Sequence, residues 1–82
     1  MPEIPKLVLA RLHGHHFLYL SNKNQLINDL KHVAIFKSKK ELENKASSLK
    51  IKNYMILYLH EAKLAEQGMH KEIYKIAKER PI

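Results

Sequence analysis

Three histidines fall within four residues, His13, His15 and His16, interrupted by Gly14. Imidazole nitrogens bind zinc and other transition metals, but a site needs two or three of them converging with a carboxylate or another fourth ligand. No acid lies in this stretch, so the simpler reading is an exposed polar turn. Neither a metal nor a cofactor is expected. His60 and Glu61 are neighbours, and His70 lies further on. An imidazole beside a carboxylate can exchange protons. Catalysis would also need a nucleophile, a group that orients the base, and donors for a developing charge. The chain has no cysteine, no Gly-rich phosphate loop, no His-Glu-x-x-His and no serine in an elbow motif. Ser47 and Ser48 read as structural. The expectation is a protein that is not an enzyme.

Lysine offers a different chemistry. Lys37, Lys39, Lys40, Lys45, Lys50 and Lys52 are six cations in sixteen residues, opposed by Glu41 and Glu43. Lys71, Lys75 and Lys78 stand at i, i+4 and i+7, on one face of a helix, with His70 and Arg80 nearby. Such groups can track phosphates, and each phosphate neutralised releases counterions and makes affinity salt-sensitive. The plainer reading is a solvated outer face, with Glu72 and Glu79 spaced to pair with these lysines. Lysines outnumber arginines 13 to 2, whereas base reading and bidentate phosphate clamps favour arginine. The candidate contacts are therefore Lys37, Lys39, Lys40, Lys71, Lys75 and Lys78, for a macromolecular partner that is a protein before it is a nucleic acid. Tyr19, Tyr54, Tyr58 and Tyr74 are the tyrosine handles. Tyr54 and Tyr58 share strand parity and point the same way. Stacking of bases would need two or three such rings exposed together.

The elements that position these residues come from a short chain. Eighty-two residues make one domain, 45% apolar and 28% charged, with a net charge of +7. A disulfide scaffold, a thiolate metal site, a collagen-like chain and a disordered one are excluded by composition. A domain this small buries only about 60% of its unfolded surface. Two or three elements must share one core, leaving little volume for a deep active site. The N-terminus lacks the pattern of a secretory signal. The longest apolar run, 54–59, is far short of the roughly 20 residues of a membrane span. An intracellular, cytoplasmic protein without membrane contact is the expectation.

Residues 1–5 carry two prolines and are expected to be extended. The apolar runs 7–12 and 17–20 flank a glycine-containing break, which predicts an antiparallel hairpin with Gly14 and His15 in the turn. Leu26, Ile27, Leu30 and Val33 predict a short helix, and 33–36 a brief strand. Ser38 and Glu41 form a capping box, in which each side chain can bond the other's amide. The helix it opens is placed at 39–50, with Leu42, Ala46 and Leu49 on its inner face. Residues 54–59 read as a central strand covered on both sides. A helix follows over 61–80, in which Gly68 marks a kink or a boundary between two shorter helices. The order predicts a small α+β fold: an antiparallel sheet of three to four strands with two principal helices packed on it. A homodimer is a further expectation, since a strand with two apolar faces leaves edges and patches to cover.

The Tyr-Leu-Ser end of the second strand, the Leu-Ile-x-x-Leu stretch, and Ala34, Phe36, Ser38 and Glu41 ahead of a helix carry a resemblance. The pattern resembles that of small uncharacterised bacteriophage and prophage proteins, typically Ala-x-x-Phe-x-Ser-x-x-Glu-Ala. Here Ala34 is one residue closer to Phe36, and Leu42 replaces the last alanine. The resemblance covers roughly 7–59 and carries over no catalytic residue. It implies a phage-type origin and a bacterial host cytoplasm. The Phe-Lys-Ser-x-x-Glu stretch is also similar to two nucleic-acid-binding modules, the small domain preceding some ribonucleases H and the arm-binding domain of phage-type integrases. The expected function is an accessory protein that binds, and by binding inhibits, a host or defence macromolecule such as a nucleic-acid-processing enzyme. The alternative is a low-specificity nucleic-acid binder that uses its lysine-rich helices.

Overall fold

The computed structural model describes residues 6–79. The expected extended segment 1–5 lies outside the described residues. Strands β1 (Leu7–His13) and β2 (His16–Leu20) form the hairpin. His13 faces His16 across a two-residue turn, and Gly14 takes the left-handed conformation (φ 65°) that a side chain would make costly. Strand β3 (Leu26–Ile27) adds to β2, and β4 (Met55–Tyr58) adds to β1. The sheet order is β3-β2-β1-β4, antiparallel throughout. Helix α1 (Lys39–Ser48) precedes β4; α2 (Leu59–Leu64), a wide turn (Ala65–Met69) and α3 (His70–Glu79) follow it. This is the α+β architecture that the element order predicts.

The expectation of one shared core does not hold. Alternation along β1 sends Leu7 and Leu9 to one face and Val8 and Ala10 to the other, all buried. Leu7, Leu9, Leu20 and Ile56 pack with Phe36 and with Leu42 and Ala46 of α1. Val8, Ala10, Phe17, Tyr19 and Leu57 pack with Ala62, Ala65, Ile73 and Ala77 of the C-terminal helices. The sheet is a middle layer between α1 and the α2–α3 arm. This explains the doubly apolar run 54–59, and also corrects its expected place. β4 is an outer strand, with Ile56 under α1 and Leu57 under the arm. Its two apolar faces reflect helices above and below, not strands on both sides.

The expected helix at 26–33 is absent. Leu26 packs on the α1 side of the sheet and Leu30 on the other, so the i, i+4 pair does not share a face. Local side chains also take the backbone groups a helix would use. The Ser21 hydroxyl accepts from the amides of Lys23 and Gln25, both at 3.2 Å, and the Asp29 carboxylate accepts from Lys31 N at 3.0 Å. The expected strand at 33–36 reduces to two bridges, Val33 to Ser21 and Phe36 to Leu7.

Helix α1 starts as expected. Glu41 N donates to the Ser38 hydroxyl at 3.2 Å, but the Glu41 carboxylate accepts from Lys37 N at 3.4 Å rather than from Ser38 N. The helix ends where Lys50 turns left-handed (φ 58°). Ile51 N then donates to Ala46 O at 2.9 Å and Lys50 N to Ser47 O at 3.1 Å. This is the Schellman ending, with lysine where glycine is usual. The expected 61–80 helix begins at Leu59 and breaks at Gly68 (φ 107°), as its mid-helix glycine suggested. Among the described residues no helix is long and apolar enough to cross a membrane.

Candidate functional site

The two lysine groups part company in the fold. Lys37, Lys39 and Lys40 stand at the start of α1, on one side of the sheet. There the acids dilute them: Lys39 Nζ pairs with Glu43 at 3.4 Å, and Glu41 caps the same turn. Lys71, Lys75 and Lys78 stand on α3, on the opposite side. No single stripe joins the two groups.

A different set of residues does connect. At one end of α3, a cleft of about 510 Å³ is bounded by the hairpin turn, with Leu12, Gly14 and His15 on one side and His70, Lys71 and Tyr74 on the other. Glu72 is its one carboxylate among the described residues. One turn on, Lys78 Nζ lies 5.7 Å from the centre of the Tyr74 ring, within cation–π range. Lys78 then borders a second cleft at the β4 edge with Tyr54 and Ala77. Tyr54 also lines a third, with Ser47, Lys50, Ile51 and Lys52 and one carboxylate, Glu43. The Tyr74–Lys78 contact joins the first cleft to the second, and Tyr54 is common to the second and third, so the hairpin tip, the lysine face of α3 and the loop between α1 and β4 are connected. The surface runs His15, Lys71, Tyr74, Lys78, Tyr54, Lys52 and Lys50, with exposed Lys75 on the same helix face.

Local backbone builds its far end. Lys50 and Asn53 are both left-handed, at φ 58° and 59°. The chain reverses direction there, so Lys50 and Lys52 leave the line of α1 and gather at the sheet edge by Tyr54. The sequence held these lysines within the 37–52 run, but their spacing carried no sign of this reversal. Leu49-Lys50-Ile51, at the end of the helical pattern, was the one signal that could have placed it. Tyr54 is half-buried on the α1 side, and Tyr58 is engaged by His60, their rings stacked at 5.6 Å and 10°. The two tyrosines of like parity therefore offer no free pair of rings.

The histidines do not converge. His13 and His16 meet edge-on, with ring centres 5.7 Å apart, while His15 turns into the cleft at the foot of α3. Among the described residues no three His, Asp or Glu side chains gather as a metal site would require. Glu61 accepts from Tyr58 N at 2.9 Å, an arrangement that starts α2. Among the described residues, His70 Nε2 is buried without a hydrogen bond, and the Tyr19 hydroxyl is buried with the Glu66 carboxylate beside it. Burial raises the Tyr19 hydroxyl well above the ordinary tyrosine range, and the nearby Glu66 carboxylate adds to the effect. His70 packs against Phe17 at 6.1 Å and reaches the cleft from below.

Compared with protein-family models, curated proteins and solved structures, the chain finds no match.

Proposed function

We propose that the protein is a non-enzymatic, low-specificity binder of single-stranded nucleic acid, acting through the surface that runs from the hairpin tip along α3 to Tyr54, Lys52 and Lys50. The observation that supports this reading is the interleaving. Tyr74 and Tyr54 alternate with Lys71, Lys78, Lys52 and Lys50 along one connected path. Ammonium groups hold phosphates, rings hold bases, and neither demands a particular sequence. The predominance of lysine over arginine suits such binding, because base reading is not required. In keeping with its resemblance to phage proteins, the protein would serve as a small accessory factor in a bacterial host cytoplasm.

The test is fluorescence anisotropy with a short single-stranded oligonucleotide. Affinity is expected to fall steeply between about 50 and 200 mM salt. Lys78→Gln and Lys52→Gln weaken binding and flatten the salt slope, whereas Lys37→Gln and Lys40→Gln leave both unchanged. No binding at low salt, or equal loss from all four variants, defeats the proposal.

Docking on a partner protein is the second reading, and one observation favours it. Met69, at the end of the wide turn, and Ile76 of α3 are 40% and 50% exposed. Apolar anchors with a charged rim are a common interface pattern. A stoichiometric protein partner that survives nuclease treatment and is lost in Ile76→Asp would favour this reading over the first.

A further inference from the structure

We propose that the cleft between the hairpin turn and the start of α3 holds a terminal phosphate monoester, so that the protein grips the phosphorylated end of a strand. The inference rests on the nucleic-acid reading above and adds where the strand ends. Three nitrogen-bearing side chains, His15, His70 and Lys71, border this one cleft against a single carboxylate, Glu72. His70 lines the cleft while its ring packs against Phe17 at 6.1 Å.

The location selects an end over the middle of a strand. The cleft is the last point of the basic path, and the Gly14–His15 turn stands across it. A strand lying on α3 would meet the hairpin there and stop. A terminal monoester carries about −1.5 to −2 charges at neutral pH and three acceptor oxygens, more than an internal diester offers. The volume, about 510 Å³, is in the range of small-ligand pockets. Leu12 and the Tyr74 ring supply apolar wall for the end base, while His15 and Lys71 reach the phosphate from the rim.

The experiment compares one oligothymidylate in three forms, 5′-phosphorylated, 3′-phosphorylated and with both ends free, by anisotropy at low salt. One phosphorylated form is expected to bind about tenfold tighter than the free-ended one, the scale of an added charge-assisted bond. His15→Asn and Lys71→Gln abolish that preference. Lys52→Gln weakens all three forms alike and keeps it. Equal affinity for the three forms overturns the inference and leaves the general binding intact. If no oligonucleotide binds, the proposed function has failed, and inorganic phosphate is titrated while the ring resonances of His15 and His70 are followed by NMR. A saturable shift, absent in Lys71→Gln, keeps the cleft as a site for free phosphate compounds. No shift overturns the inference as well.

Discussion

Tyr19 is fully buried, and its hydroxyl lies beside the Glu66 carboxylate, which can accept a hydrogen bond from it. Its ring is needed in the core beside Phe17, at 6.2 Å between centres, and the oxygen comes with the ring. Burial first, and then Glu66, raises its ionisation above the usual tyrosine value of 10.0. The stability that the neutral form confers is therefore complete below about pH 10 and is lost as pH rises through the higher folded-state value. Urea unfolding at about pH 8 and about pH 11 should show a falling midpoint for the native chain. Tyr19→Phe should fall less, since lysine titration is common to both. None of this was readable from the sequence, where Tyr19 was only one aromatic handle among four. Alternation can place it on the core face, but cannot tell whether its oxygen finds a partner.

Elements end where the backbone adopts a conformation that few residues tolerate, and two such points test the physics with opposite signs. Lys50 holds the left-handed ending of α1, a cost of about 1 kcal/mol that glycine would not bear. Lys50→Gly should raise stability by about 0.5–1 kcal/mol. Gly68 (φ 107°) breaks the helical path inside the wide turn before α3, and a Cβ there would meet nothing within 4 Å. Gly68→Ala is thus free of collision and strained in backbone alone, and should cost about 1–2 kcal/mol. Thermal unfolding of both variants checks the pair; a stabilised Gly68→Ala would mean that the arm prefers to be straight. The Ser38 cap, the Gly14 turn and the Gly68 break were legible because each rests on a single local residue type. The missing helix at 26–33 was not. Its apolar spacing fits a helix, but Leu26 and Leu30 serve opposite faces of a sheet.

At the scale of the whole molecule, two thin cores share one sheet, so neither can survive alone. A chain of this length has about 4–12 kcal/mol of stability. Leu42→Ala removes apolar volume from the α1 side and Ile73→Ala from the arm side, each at about 2–5 kcal/mol. Either is expected to lower the midpoint of a single transition, with helical signal and tyrosine fluorescence changing together. Two separate transitions in either variant would show that the layers fold independently. This layering also divides the surface. It puts Lys37, Lys39 and Lys40 behind the sheet from Lys71, Lys75 and Lys78, and brings Lys50, Lys52, Tyr54 and Lys78 to one edge.

Residue order alone was enough for the α+β class, the hairpin and the capped helix. Those features depend on neighbours a few positions apart, within the reach of a turn or a helical repeat. Which cations meet depended on how the layers stack, and stacking is governed by contacts between residues far apart in the chain. Lys78 and Tyr54 became neighbours only because α3 crosses the outer strand, and no local spacing encodes that crossing.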